Sequence, residues 1–229
     1  MCAYNAAMNT AGFRPLQDSR RPTSVDRLIG QIDQALRVVY GLTQPNRPYP
    51  AAHQSETVTA NAERQRVCSL MRVNHAGEVS AQALYQGQAL TARDSHVRAS
   101  MAQAAQEEID HLSWCATRLG ELGGRTSLLN PIWYMGSFAI GALAGAVGDR
   151  TSLGFLAETE QQVVEHLQSH LARLPNDDAK TRAILQQMTQ DESGHRDAAL
   201  QGGGSRLAAP IRRLMKLASG VMTRMAYWV

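Results

Sequence analysis

The sequence has few aromatic residues, 5% of 229, and almost no runs in which β-branched residues alternate with polar ones. Strands draw on those residue types, so a sheet-built domain is excluded. Cysteine is scarce as well. Cys2, Cys68 and Cys115 are an odd number with no CxxC spacing, so neither a disulfide framework nor a zinc ribbon is expected, and a reducing, cytoplasm-facing setting fits. No GxGxxG follows a strand-like run, which argues against a Rossmann-type dinucleotide site. Net charge is only +3, and the interleaving of basic and aromatic residues used by nucleic-acid surfaces is missing, so no nucleic-acid partner is expected. The N-terminus lacks an unbroken apolar core, and no secretory signal is expected.

What the chain does contain is hydrophobic residues at 44% and a texture rich in Ala, Gln and Leu, which favours an all-α fold with a sizeable core. Residues 1–22 are expected to be a loose tail. Ser24 is placed to cap a short helix over Val25–Tyr40, with Leu28, Ile29, Ile32, Leu36 and Val39 on one face. The stretch "TQPNRPYPAAHQ" (43–54) has three prolines and reads as an extended linker. Long helical patterns follow at about 59–92, 97–122, 152–174 and 176–200, with Asn176 or Asp177 as the cap of the last of these. Gly123-Gly124, Pro175 and Gly202–Gly204 close three of them. The expected organisation is a tail and linker over 1–55 and one helical domain over 56–229.

The chemistry is concentrated in a pattern written twice. Glu108 and His111 in "EEIDHL", and Glu192 and His195 in "DESGHR", both read Glu-x-x-His. Positions three apart share a helix face, so each pair can hold one ion. One such pair is usually only a solvated face; two copies with a further glutamate upstream of each are a different matter. Glu78 is the only acid between Glu63 and Asp94. Upstream of Glu192 stand Glu158, Glu160 and Glu165, of which Glu160 best repeats the Glu78–Glu108 separation. The chain then reads Glu…ExxH…Glu…ExxH. Ferritin-like four-helix bundles build a two-metal site from that recipe, and four carboxylates with two imidazoles suit iron or manganese. Glu107, Asp110, Glu121, Glu158 and Asp197 are read as surface or supporting groups. His75 and His166 are read as core or supporting histidines, and Asp110 or Asp191 as outer hydrogen-bond acceptors.

The segments "LMRVNHAGEVSAQALYQGQAL", "EEIDHL", "ETEQQVVEHL" and "DESGHRDAAL" resemble the signatures of the demethoxyubiquinol hydroxylases, over about residues 59–229. The resemblance implies a di-iron monooxygenase of ubiquinone biosynthesis that uses O2 to hydroxylate a polyprenyl methoxy-methyl-benzoquinol. It implies Glu78, Glu108 and His111 around one iron, and Glu160, Glu192 and His195 around the other, with Glu108 and Glu192 able to bridge. Reducing equivalents would come from NADH, directly or indirectly, and an accessory protein of the pathway is a possible partner. Some family members carry tyrosine after the histidine matching His166, where this chain has Leu167, so no relay role transfers to that position. A ferritin-like iron storage or detoxification protein is the alternative reading of the same ligand set.

Two segments suggest contact with lipid. Residues 127–148 hold no charge, yet Asn130-Pro131 and several glycines interrupt them. A helix that dips into one leaflet or packs on the bundle is therefore expected over a full span. Gly141 and Gly145 form GxxxG, which permits close helix packing. Residues 206–229 form an amphipathic pattern. Leu207, Ile211, Leu214, Ala218, Val221, Met222, Met225 and Val229 fall on one face, and Arg212, Arg213, Lys216 and Thr223 on the other. With five cations and no acid from Ser205 onward, this tail reads as an interfacial helix. A peripheral position on the cytoplasmic face of the cell (inner) membrane is expected.

Overall fold

A computed structural model describes residues 23–41 and 43–229. Among these residues the elements are seven helices, with no strand: α1 (Ser24–Tyr40), α2 (Asn61–Thr91), α3 (Ser95–Glu121), α4 (Asn130–Val147), α5 (Asp149–Arg173), α6 (Ala179–Gln201) and α7 (Ala209–Trp228). The all-α expectation holds; the tail expected at 1–22 lies outside the described residues.

Helices α2, α3, α5 and α6 form the bundle, and their apolar residues make two separate layers. One layer joins Leu70 and Met71 of α2, Trp114 and Leu119 of α3, Leu167 of α5, and Ile184 and Met188 of α6. The other joins Tyr85 of α2, Met101 and Ala105 of α3, Leu156 of α5 and Ala199 of α6. Each bundle helix thus has an apolar stretch, a polar interruption and a second apolar stretch. The interruptions meet at one level.

Helix α4 is the crossover that returns the chain along α2. Its small residues set how closely it approaches. A Cβ on Gly141 would overlap the Leu84 carbonyl, and one on Gly87 would overlap the backbone of Phe138 and Ala142. The GxxxG pair is therefore used inside the molecule, against α2. No described helix is long and apolar enough to cross a membrane. The side of α4 turned from α2 nevertheless exposes Ile132, Met135, Leu143 and Val147.

Several local expectations are corrected. Thr23 rather than Ser24 caps α1, because Asp26 stands three residues after Thr23 and completes a capping box. The apolar face of α1 is split. Val38 is buried, with Ala35 and Val39 packed beside it near Tyr134 and Phe138, whereas Ile29, Ile32 and Leu36 are exposed. Asp178, not Asn176 or Asp177, caps α6 by accepting from the Thr181 amide. It is buried and also paired to Arg118, so it is the acid that faces inward. Helix α7 begins at Ala209 because the preceding residues are pinned: Ser205 N–H donates to the Arg150 carbonyl and Leu207 is buried. Thr223, expected on the cationic face, is half-buried against the bundle.

The Pro-rich segment is not a free spacer. It lies across α3 and α6 as a strap, held by Arg47 on Asp110, by Tyr49 on Glu121 and by Glu56 on Arg118. Arg118 is fully buried and also meets Asp178 and Thr181. A buried guanidinium needs such a set of acceptors, and losing one partner leaves an uncompensated charge.

Candidate metal centre

The polar level between the two apolar layers gathers all six residues picked from the sequence. Glu78 comes from α2, Glu108 and His111 from α3, Glu160 from α5, and Glu192 and His195 from α6. Ligand atoms of Glu78, Glu108, His111 and Glu192 lie within 4.8 Å of one another, as do those of Glu160, Glu192 and His195. His75 and His166 fall outside both groups, as expected.

Two carboxylates link the two imidazoles, each with a different oxygen toward each ring. Glu108 places Oε2 3.2 Å from His111 Nδ1 and Oε1 3.4 Å from His195 Nδ1. Glu192 places Oε1 3.1 Å from His111 Nδ1 and Oε2 3.2 Å from His195 Nδ1. Each of these two carboxylates thus spans the gap between the two rings. Glu78 stands at the His111 end, 3.5 Å from Nδ1. Glu160 stands at the other end, where its Oε1 accepts from the Tyr85 hydroxyl at 2.6 Å.

The outer nitrogens of the two rings are held reciprocally. His111 Nε2 lies 2.9 Å from Asp191, the residue before Glu192, and His195 Nε2 lies 2.6 Å from Glu107, the residue before Glu108. Each repeat's acid supports the other repeat's histidine. With Nε2–H donating outward, each Nδ1 lone pair points inward, the tautomer a metal ligand requires. Asp191 thus fills one of its two expected roles, whereas Asp110 does not touch a histidine: it accepts from the strap, at Asn46 N and Arg47 N. Glu107 proves to be a supporting group. Its signal was present in the sequence, since both repeats read acid-Glu-x-x-His.

Burial makes the cluster electrostatically demanding. It holds the Glu78 and Glu160 carboxyls well above the ordinary range, with the neighbouring carboxylates Glu108 and Glu192 adding to the shift. For Glu108 and Glu192 burial acts in the same upward sense, but the adjoining imidazoles outweigh it and leave both lowered. The imidazoles move oppositely. Despite desolvation, the carboxylates raise His111 and push His195 up to about 12. Carboxyls and imidazoles therefore shift against one another across the centre. Even so, Glu78 Oε2, Glu108 Oε1 and Glu160 Oε2 are buried without a hydrogen-bond partner. Orphaned inward oxygens on three of the four glutamates fit hard or borderline divalent cations such as iron or manganese, with two imidazoles completing the set.

A groove of about 490 Å³ reaches this centre from outside. Its walls come from α2, α4, α5 and α7, including Leu84, Trp133, Ile140, Phe155, Leu214 and Met222, and Glu78 and His166 are among its polar groups. His166 is held neutral, its pKa lowered to about 4 mainly by burial, and its Nε2 has no partner. Its ring packs 3.9 Å from that of His170, whose Nδ1 lies 2.8 Å from Asn74 Oδ1.

Known proteins are similar to this chain over most of its length. The family described as "Ubiquinone biosynthesis protein COQ7" matches residues 65–226. A 3-demethoxyubiquinol 3-hydroxylase of Cupriavidus taiwanensis is 58% identical, over 89% of this chain and 99% of its own length. Those of Nitrosospira multiformis and Nitrosococcus oceani are each 54% identical, over 90% and 93% of this chain and 99% and 100% of their own lengths. With a family match over most of the chain and more than half of the residues identical over nearly the whole length of these relatives, the chain belongs to the COQ7 family of ubiquinone-biosynthesis hydroxylases.

Proposed function

We propose that this protein is a di-iron monooxygenase that hydroxylates the ring of a demethoxyubiquinol at a membrane surface. The observation that carries this reading is the apolar groove with a carboxylate of the candidate centre, Glu78, among its lining residues. A storage site needs an entry for ions, which an oily cleft does not favour; a polyprenyl quinol needs this combination of oily walls and a reactive end.

Glu78, Glu108 and His111 would hold one iron, and Glu160, Glu192 and His195 the other, with Glu108 and Glu192 between them. Bound there, the irons would supply the activation of O2 that carboxylate side chains alone cannot perform. The protein's own residues do the rest. Asp191 and Glu107 fix the orientation of the two rings. Tyr85 keeps one oxygen of Glu160 occupied as a hydrogen-bond acceptor. The apolar walls exclude water around the reacting ring, and His166 Nε2 offers a hydrogen bond to a ring oxygen of the substrate. Electrons would come ultimately from NADH, through the quinol or a separate reductase.

The membrane part of the reading rests on the groove's rim. The exposed Ile132 and Ile140 of α4 and Ile211 and Leu214 of α7 line the same groove. Arg212, Arg213, Lys216 and Arg224 of α7 are available to anionic headgroups. A peripheral position on the cytoplasmic face of the inner membrane lets the isoprenoid tail stay in lipid while the ring enters, and an accessory lipid-binding protein could assist that transfer. Quinone analysis by mass spectrometry tests the step. In a strain lacking the activity, demethoxyubiquinone should accumulate, and this gene should restore ubiquinone. Failure to restore it with iron-loaded protein present would refute the reading.

A further inference from the structure

The two outer carboxylates, though reciprocal, are not equivalent. Glu107 is exposed at the surface, with a side-chain exposure of 39%, and besides His195 it meets only the Gln103 amide at 3.2 Å. Among the described residues no cation pairs with it. Asp191 is mostly covered, at 14%, and its Oδ2 serves two donors: His111 Nε2 at 2.9 Å and Arg47 Nη1 at 2.8 Å. The Arg47 guanidinium is itself fixed. Its Nε meets Asp110 at 2.6 Å, its plane lies 4.7 Å from the Trp114 ring, and its Nη2 is 3.4 Å from His111 Nε2. Gln187 holds the other Asp191 oxygen at 3.0 Å, so the carboxylate keeps its place by a second contact. Arg47 comes from the strap, N-terminal to the helices that supply the six ligand candidates.

An imidazole that donates to a full carboxylate becomes a stronger donor at its other nitrogen. A guanidinium sharing that carboxylate withdraws part of this effect and adds positive charge beside the ring. We propose that Arg47 is a positioning residue that makes the two metal positions unequal: by neutralising Asp191 it weakens His111 as a ligand relative to His195. The inference rests on the two-metal reading above. Its consequence is that the position on the Glu78 side, which faces the groove, is the more weakly held of the two.

Cobalt(II) titration of the metal-free full-length protein tests this without reference to turnover. The wild type should bind two ions in two separated steps. In Arg47→Gln the weaker step should tighten by about tenfold, closing the gap, while the tighter step stays in place. Proton NMR of the cobalt-loaded protein should show two exchangeable Nε2–H signals, of which Arg47→Gln moves one and Arg47→Lys largely restores it. Glu56→Gln loosens the strap at its other anchor, so it should lower the melting temperature and leave both binding steps in place. Unchanged steps in Arg47→Gln, equal movement of both signals, or a Glu56→Gln effect as large as that of Arg47→Gln would overturn the inference. Absence of any cobalt binding would remove the two-metal reading and the inference with it.

Discussion

The two halves of the molecule, α2–α3 and α5–α6, carry the same Glu…ExxH pattern, yet they face different surroundings. The Glu78 half is covered by the crossover helix on one side and the strap on the other, and its glutamate borders the groove. The Glu160 half draws its support from the other half: Tyr85 of α2 takes up one carboxylate oxygen, and Glu107 of α3 supports His195 from the surface. Duplication thus accounts for the ligands, and the added elements distinguish the two positions. Substrate is expected on one side only.

The strongest way to break this comparison is to remove what the halves share. Glu108→Ala and Glu192→Ala take away the linking carboxylates, and each should abolish hydroxylation and bound iron together, by activity assay and metal analysis. A smaller loss is expected from the element that distinguishes them. Gly141→Leu forces α4 away from α2 and should cost about 2–3 kcal/mol in denaturant unfolding, with the groove deformed and the bundle retained. Tyr85→Phe leaves the Glu160 carboxyl without its partner. It should cost about 1–3 kcal/mol and disturb spectra of the His195 position more than those of the His111 position. Ala218→Trp fills the groove between α7 and α4, and should raise KM for a long-tailed quinol while iron content stays constant. Last, removing residues 206–229 should reduce sedimentation with anionic vesicles; unchanged sedimentation would exclude α7 from the contact.

Acidity probes the centre as a whole. In the metal-free protein the carboxylates push His195 up to about 12. Its contribution to stability is therefore complete below an ordinary histidine pKa, near 6.5, and is lost as pH rises through about 12. Glu192 is lowered, so its contribution holds above the ordinary carboxylate range and fades as pH falls through its depressed value. A metal must displace the protons held by the imidazoles and by the raised Glu78 and Glu160 carboxyls, so affinity should fall by about tenfold per pH unit of acidification for each proton displaced. Isothermal titration in buffers of different ionisation enthalpy counts those protons directly.

Much of the centre was legible in the sequence because helical spacing is local. Glu108 and His111 share a face by arithmetic, and the repeat distance selected Glu160 over Glu158 and Glu165. The long helices were legible for the same reason, with Gly and Pro marking their ends. What stayed hidden depends on long-range approach. Arg47 lies 63 and 144 residues from the acids it pairs with, and nothing in "TQPNRPYP" distinguishes a strap from a spacer. Asp178 was passed over as a cap because three polar residues in a row offer the same chemistry, and only the position of Arg118 selects among them. The GxxxG pair signalled close packing, but its partner α2 could not be read from spacing.

The central claim is that this carboxylate–histidine centre performs a ring hydroxylation on a quinol delivered through the apolar groove. The most direct measurement is turnover of demethoxyubiquinol by the iron-loaded protein on vesicles under isotopically labelled O2. The expected product is the ring-hydroxylated quinol, one mass-labelled oxygen heavier than the substrate and not yet methylated, with none formed by Glu78→Ala. Unlabelled product, or no hydroxylation by protein carrying two irons and supplied with reductant, would contradict it.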